Sequence, residues 1–308
     1  MHIALTGATG FLGRYIAKQL IQSGNHTLRC WHRPTSNRED FETLNHAIEW
    51  LPGSLIDQPS IANLVRGADA VVHAALHREP SDQGSFLAAG KGDLDAFLEA
   101  NFMGSLRLFQ AAHAAGVPRF VFISTCAVYD VILNDRPLDE NHPLLPASHY
   151  GAHKAALEAF VHSYGLGQNW AICALRPTGI YGMGHPASAS RWFDLVEKVM
   201  RNEPIASAKG GKEVHAGDVA RAVAVLIGAD VPSIAGQAFN CYDRYVAEQE
   251  VAKIATELTG STSVIAEMNR GPKNQIETGK LRALGMSFGG EAVLRATVAE
   301  LVRASEGE

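Results

Sequence analysis

The sequence predicts an α/β protein built on a doubly wound parallel sheet, and three observations carry that prediction. The chain opens on a short apolar run, Ile3-Ala4-Leu5, followed by a glycine turn and then by apolar residues at helical spacing, Leu12, Ile16, Leu20 and Ile21. Short apolar runs alternate with helical patterns through the first half of the chain. Runs such as Ala70-Val71-Val72 and Phe120-Val121-Phe122-Ile123 have no polar face, as strands covered by helices on both sides require.

With 308 residues, 46% hydrophobic and 19% charged, the chain can bury one large core or two modest ones, which excludes disordered and collagen-like classes. A net charge of −5 offers no basic field to a nucleic acid, so a small-molecule substrate is the expected partner. No apolar run approaches the roughly 20 residues of a membrane span, and the N-terminus enters the first strand without a basic region or cleavage site. A cytoplasmic protein with no membrane partner is therefore expected. Cys30, Cys126, Cys173 and Cys241 are far apart in sequence and lie mostly in apolar surroundings, so free thiols are expected and neither metal nor disulfide.

Taken in order, the first turn carries Gly7, Gly10 and Gly13. One glycine allows a tight turn, one lets a pyrophosphate approach the backbone, and one lets the helix pack close to the strand, with the helix N-terminus facing the anion. A second strand is expected over residues 26–32. Its end reads Trp31-His32-Arg33, with no carboxylate for a ribose 2′-hydroxyl and with Arg33 placed for a 2′-phosphate, which favours NADP over NAD; the alternative is a solvated loop charge. Residues 34–50 read as polar and irregular, 51–55 as a third strand, and 60–66 as a helix with Ser60 as N-cap. A strand over 70–75 follows, in which His73 reads as a satisfied core histidine. A long helix over 93–115, closed by Gly116 and Pro118, leads to a strand over 119–124.

That strand delivers Ser124 and Thr125 at its C-terminal end, where open parallel sheets bind ligands. Tyr150 and Lys154, four residues apart, share one face of the next helix. The Lys154 ammonium and an oxidised nicotinamide are expected to lower the Tyr150 pKa from its usual value of about 10 toward one useful for proton transfer. Thr125, a hydroxyl that both donates and accepts, would orient the reacting carbonyl or alcohol.

With these residues in place the chain resembles the extended short-chain dehydrogenase/reductases of the NAD-dependent epimerase/dehydratase family. The matching stretches are T-G-A-T-G-F-L-G (6–13), V-V-H-A-A (71–75), N-F-M-G-S (101–105), F-I-S-T-C-A-V-Y (122–129), Y-G-A-H-K (150–154), R-P-T-G-I-Y-G (176–182) and V-H-A-G-D-V-A (214–220). The resemblance implies a Rossmann sheet with Tyr150 as general acid/base, Lys154 holding the nicotinamide ribose, and Thr125 as third member. It implies cofactor contacts from Gly7, Thr9, Gly10, Phe11, Leu12 and Gly13, from Ala74, Ala75 and Leu76, from Asn101, and from Pro177 and Thr178 beside the nicotinamide. Adenine is expected near Ser54 and Leu55, although the family usually has Asp at the place of Ser54.

Other departures bear on the substrate. Family dehydratases carry Asp-Glu after the catalytic Thr, where this chain has Cys126 and Ala127, which argues against water elimination. Nucleotide-sugar epimerases commonly have Asn at the place of Gly179, and Arg-Asp-aromatic where this chain has Gly211-Lys212-Glu213. A diphosphate loses its bidentate Arg there, with Lys209 or Lys212 left as point charges.

After residue 182 the texture shifts to Gly, Pro, Ser and single helices over 191–201, 218–228, 248–259 and 291–304. The resemblance implies a dinucleotide-binding domain over 1–177, to which 213–241 returns, and a smaller substrate-binding lobe from 178–212 and 242–308. His185, Arg191, Trp192, Lys209 and His215 are candidates to line the cleft between the lobes, although each reads more readily as an ordinary surface or interlobe residue. The helices over 94–115 and around Tyr150 have strong apolar faces, and the resemblance implies that they pair across a homodimer; the alternative is that both faces are spent on their own sheet. The expected function is NAD(P)-dependent hydride transfer between nicotinamide and a secondary alcohol or ketone, such as a sugar-derived one. The alternatives are a nucleotide-sugar epimerase with tightly bound NAD and a non-catalytic, redox-sensing NAD(P)-binding protein.

Overall fold

The structure is a computed structural model that describes residues 1–24, 26–78, 86–207, 209–267, 271 and 273–307. Its strands are β1 (His2–Thr6), β2 (Thr27–His32), β3 (Ile48–Pro52), β4 (Ala70–His73), β5 (Arg119–Ile123), β6 (Ala171–Pro177), β7 (Gly179–Tyr181), β8 (Gly210–His215), β9 (Gln237–Cys241) and β10 (Arg244–Ala247). Seven of them form one parallel sheet in the order β3-β2-β1-β4-β5-β6-β9. The order reverses between β1 and β4, which opens the crevice that doubly wound sheets use for ligands. The other three form a sheet β10-β8-β7, with β8 antiparallel to β10 and parallel to β7.

Two compact units result. The first comprises Met1–Pro177, Ala220–Cys241 and Glu277–Met286, and the second Thr178–Val219, Tyr242–Ile276 and Ser287–Glu308. Residues 213–219 thus differ from the sequence expectation, because β8 pairs with β7 and β10. Residues 277–286 differ likewise, since helix Gly279–Ala283 packs on β9. In the first unit, Leu108, Phe109, Phe120, Phe122, Leu157 and Val161 form the buried core between sheet and helices. In the second, helices Phe193–Met200, Glu248–Thr259 and Gly290–Glu306 pack on one another through Val196, Val251, Leu294 and Val298.

Several elements depart from their expected bounds for local reasons. The third strand is Ile48–Pro52 and leaves the sheet where Pro52 removes a donor and Gly53 follows, so 53–55 form a loop. Residues Glu39–Ala47 are not irregular: they wind into tight helical turns that bury Phe41, Leu44 and Ala47. The helix expected from Ser60 starts earlier, at Gln58, with Asp57 as N-cap and Pro59 in the first turn. Ser60 instead donates to the carbonyls of Asp57 (2.9 Å) and Ser54 (3.2 Å), fixing the 54–57 loop. The helix expected over 93–115 is two α segments, Leu94–Leu98 and Gly104–Ala114, joined by a π turn at Glu99–Met103. The loop after β3 touches that join, for a Cβ on Gly104 would stand 2.7 Å from the Cβ of Leu55.

The thiols of Cys30, Cys173 and Cys241 are buried and that of Cys126 is part-buried; none of the four is in a disulfide. Among the described residues, no helix is long and apolar enough to cross a membrane, and no three His, Cys, Asp or Glu side chains converge as metal ligands.

Candidate active site

The glycine turn is built as its residue types require. Gly7 has φ +75°, and a Cβ there would lie 2.8 Å from the backbone of Ala74 and Ala75. A Cβ on Gly13 would stand 1.9 Å from the Gly7 carbonyl oxygen, so this glycine lets the helix start against the turn. Gly10 is exposed and closes the turn through its N–H to the Gly7 carbonyl at 3.0 Å. Phe11, Leu12 and Gly13 form the first turn of helix Phe11–Gly24, where backbone N–H groups lack intrahelical acceptors. The Thr9 hydroxyl donates to Ser36 at 3.4 Å. Arg14 forms an ion pair with Asp40 at 2.7 Å and donates to the Thr9 and Asn37 carbonyls. It locks the turn to the loop after β2, on which the Arg33 side chain stands exposed.

Ala74, Ala75 and Leu76 leave β4 beside this turn, held by Thr6, whose Oγ1 accepts the Ala75 N–H at 3.2 Å. His73 is 1% exposed, with Nδ1 2.7 Å from Thr6 Oγ1 and Nε2 2.8 Å from Ser105 Oγ, and burial pushes its pKa down. It is a satisfied core histidine. Asn101, at the π turn, accepts the His77 N–H at 2.7 Å and donates to the His77 carbonyl at 3.0 Å and the Phe97 carbonyl at 3.0 Å. Its carboxamide is spent on holding the 74–77 loop. Leu55 meets Gly104 at the end of the π turn, and Ser54 beside it is held by the Ser60 hydroxyl.

Helix His149–Gln168 begins with Ser148, whose Oγ accepts the Gly151 N–H at 3.1 Å, and this cap sets Tyr150 and Lys154 in the first turns. Thr125 follows β5 after one intervening residue, Ser124, and acts on the Tyr150 phenol, pulling its pKa down. Lys154 is 5% exposed, donates to the Ile123 carbonyl at 2.8 Å and lies 4.5 Å over the Phe122 ring. Thr125, Tyr150 and Lys154 therefore converge at the C-terminal end of β5. Burial lowers Lys154 to about 7, with Glu158 opposing. Burial pushes Tyr150 up to about 12, while Thr125 and the Arg78 charge pull it down. The expected lowering of Tyr150 by Lys154 is thus not a property of the chain alone, because the ammonium is turned to a backbone carbonyl.

Beneath these three lies an ionic network that sequence reasoning missed. Glu158 is fully buried, and Arg176 grips it through Nε (2.9 Å) and Nη2 (2.5 Å). Ser124 donates to the same carboxylate, and Arg176 also reaches the Tyr129 hydroxyl, which bonds Asn240 Oδ1 at 3.0 Å. The signal was present: Glu158 follows Lys154 by four residues, on one helical face.

Pro177 is buried at the end of β6, and Thr178 opens the second unit with a buried hydroxyl that has no hydrogen-bond partner among the described residues.

The family model for the NAD-dependent epimerase/dehydratase family matches residues 3–241, and the chain belongs to that family. It is similar to the UDP-glucose 4-epimerase of Rhizobium meliloti, 27% identical over 63% of this chain and 56% of that protein. It is also similar to a 3β-hydroxysteroid dehydrogenase/Δ5→4-isomerase of Mycobacterium tuberculosis, 27% identical over 64% of this chain and 51% of that one. The chain spans about half the length of these relatives. Among solved structures, the UDP-glucose 4-epimerase of Thermotoga maritima with UDP-glucose superposes with a TM-score of 0.78 at 22% identity, covering 100% of this chain and 99% of that one. The Thermus thermophilus UDP-glucose 4-epimerase complexed with NAD gives 0.75 at 21%, again over 100% and 99%. At these identities the likeness is one of fold.

Proposed function

We propose that this chain is an NAD(P)-dependent oxidoreductase transferring a hydride between nicotinamide and a secondary alcohol or ketone, such as a sugar-derived one. The observation that carries the reading is the convergence of Thr125, the Tyr150 phenol and the buried Lys154 at the C-terminal end of β5. The glycine cradle fits a pyrophosphate, since Gly7 and Gly13 bring the helix N-terminus against the turn and Gly10 leaves its approach open. When bound, the nicotinamide supplies the hydride chemistry, and the protein supplies orientation and proton transfer.

In this reading Gly7, Thr9, Gly10, Phe11, Leu12 and Gly13 hold the pyrophosphate, Ser54 and Leu55 border the adenine, and Ala74, Ala75 and Leu76 flank the cofactor. Asn101 acts by fixing that last loop, and Pro177 and Thr178 border the nicotinamide. Lys154 holds the nicotinamide ribose. Tyr150 gives its proton to a ketone oxygen or takes one from an alcohol, and Thr125 orients that oxygen. The exposed Arg33 and the absence of an acid at the end of β2 favour NADP. Apolar side chains left exposed on helices of the first unit, Leu94 and Phe160 among them, suit a homodimer.

The test is NADPH consumption against a panel of ketones by wild type and Tyr150→Phe. The reading predicts a kcat loss of about 10²- to 10⁴-fold with NADPH binding unchanged. Unchanged function in that variant would contradict it and favour the non-catalytic redox sensor. A nucleotide-sugar epimerase is the second reading, favoured by the UDP-glucose 4-epimerases among the similar proteins. It requires NAD that stays bound through purification.

A further inference from the structure

Residues 123–126, where β5 gives way to the site, are tied down on both sides of Thr125. The Ile123 carbonyl accepts from Lys154 at 2.8 Å. Ser124 is 2% exposed, and its N–H donates to the Leu175 carbonyl at 2.7 Å, which carries the pairing with β6 one residue past the strand. Its hydroxyl donates to Glu158. On the other side, the Cys126 thiol donates to the Arg176 carbonyl at 3.0 Å. The two neighbours of Thr125 are thus fastened to the two members of one ion pair, Ser124 to the Glu158 carboxylate and Cys126 to the Arg176 backbone.

That pair is itself held in one geometry. Arg176 meets Glu158 Oε2 through Nε at 2.9 Å and Nη2 at 2.5 Å, while its Nη1 reaches the Tyr129 hydroxyl and the Glu140 carbonyl, the latter at 3.3 Å. A buried ion pair gains little stability over apolar side chains of the same volume, so its worth lies in directed contacts. Here the direction converges on Thr125. Its Oγ1 accepts the Ala127 N–H at 3.1 Å and caps the turn Cys126–Tyr129, which leaves the hydroxyl proton to donate to an oxygen in the site.

We infer that the Glu158–Arg176 pair, acting through Ser124, is the positioning device for the Thr125 hydroxyl. The inference deepens the oxidoreductase reading above and rests on it only for the reaction that Thr125 serves. Ser124 acts through Thr125 and not on the substrate. A displacement of about 1 Å in such an orienting group can cost on the order of 10²-fold in rate.

The experiment compares Ser124→Ala, Thr125→Val and the double variant of the full chain in two measurements. Amide hydrogen exchange at Ala127 reads the orientation of Thr125 whatever the chain catalyses, because that N–H is bonded to Oγ1. Ser124→Ala should speed this exchange by about tenfold, as Thr125→Val does, with the Phe122 amide in β5 unchanged. The kcat for NADPH-dependent ketone reduction should fall by about tenfold or more in Ser124→Ala, and that loss should vanish in the Thr125→Val background. A side chain that only supports the fold would cost the same factor in both backgrounds. Such an equal cost, or an Ala127 amide that exchanges as in wild type, overturns the inference. If Ser124→Ala melts early, Cys126→Ala cuts the tie on the other side of Thr125 and is read in the same two ways. A wild type inert toward ketones, with Ala127 still responding to Ser124→Ala, overturns the oxidoreductase reading and upholds the positioning.

Discussion

Tyr150 is a phenol that the folded chain by itself holds protonated, and Lys154 is an ammonium that burial has brought to about 7. Because that value lies below the ordinary 10.5, the unfolded chain binds the extra proton between these pH values. The Lys154 contribution to stability therefore rises with pH across the window from about 7 to 10.5. Lys154→Met should flatten that rise, which urea unfolding at neutral and alkaline pH checks. Glu158 opposes the lowering, so Glu158→Gln should depress Lys154 further and move the alkaline limb of kcat to lower pH. Glu158→Ala should also cost about 3–5 kcal/mol, since it strands Arg176 in the core without its acid. Tyr150 and Lys154 were legible because their spacing is local, and Thr125 because it stands just past the end of an apolar strand. Arg176 was not, because one charge at the end of an apolar strand reads as an edge residue until its partner from the helix is known.

Among the elements, the glycine turn was the most legible, since strand, turn and helix follow one another without a long-range partner. The reason Gly7 must be glycine was only half visible. Its positive φ belongs to the turn, but the 2.8 Å approach to Ala74 and Ala75 belongs to β4, more than sixty residues on. Gly7→Ala should destabilise the chain by about 1–3 kcal/mol and abolish nucleotide binding, as urea titration and nucleotide fluorescence would show. Element bounds were less legible wherever a later contact decides them. Residues 39–47 coil because Phe41 and Leu44 are buried there, with the Arg14 guanidinium 5.4 Å over the Phe41 ring. The break in the long helix falls at Asn101, whose carboxamide serves a loop on another strand.

For the whole molecule, the doubly wound sheet followed from alternating apolar runs, and the departure at 213–219 shows the limit of that pattern. A short polar strand such as Gly210–His215 has no periodicity to say which sheet it joins; its pairing with β7 and β10 decides. Phe160 is 40% exposed on helix His149–Gln168 and touches Phe102, so Phe160→Asp should convert a dimer to a monomer in sedimentation with folding intact. An unchanged sedimentation coefficient would remove that face from the interface.

On the proposed reading, this family member uses an exchangeable nicotinamide cofactor read by Arg33. The most direct test is fluorescence titration of NADH and NADPH into the purified chain, with a check for nucleotide released on denaturation. NADPH should bind more tightly than NADH by about tenfold or more, a preference lost in Arg33→Ala, with no nucleotide retained. Co-purified NAD that does not exchange would contradict it and move the nucleotide-sugar epimerase to first place.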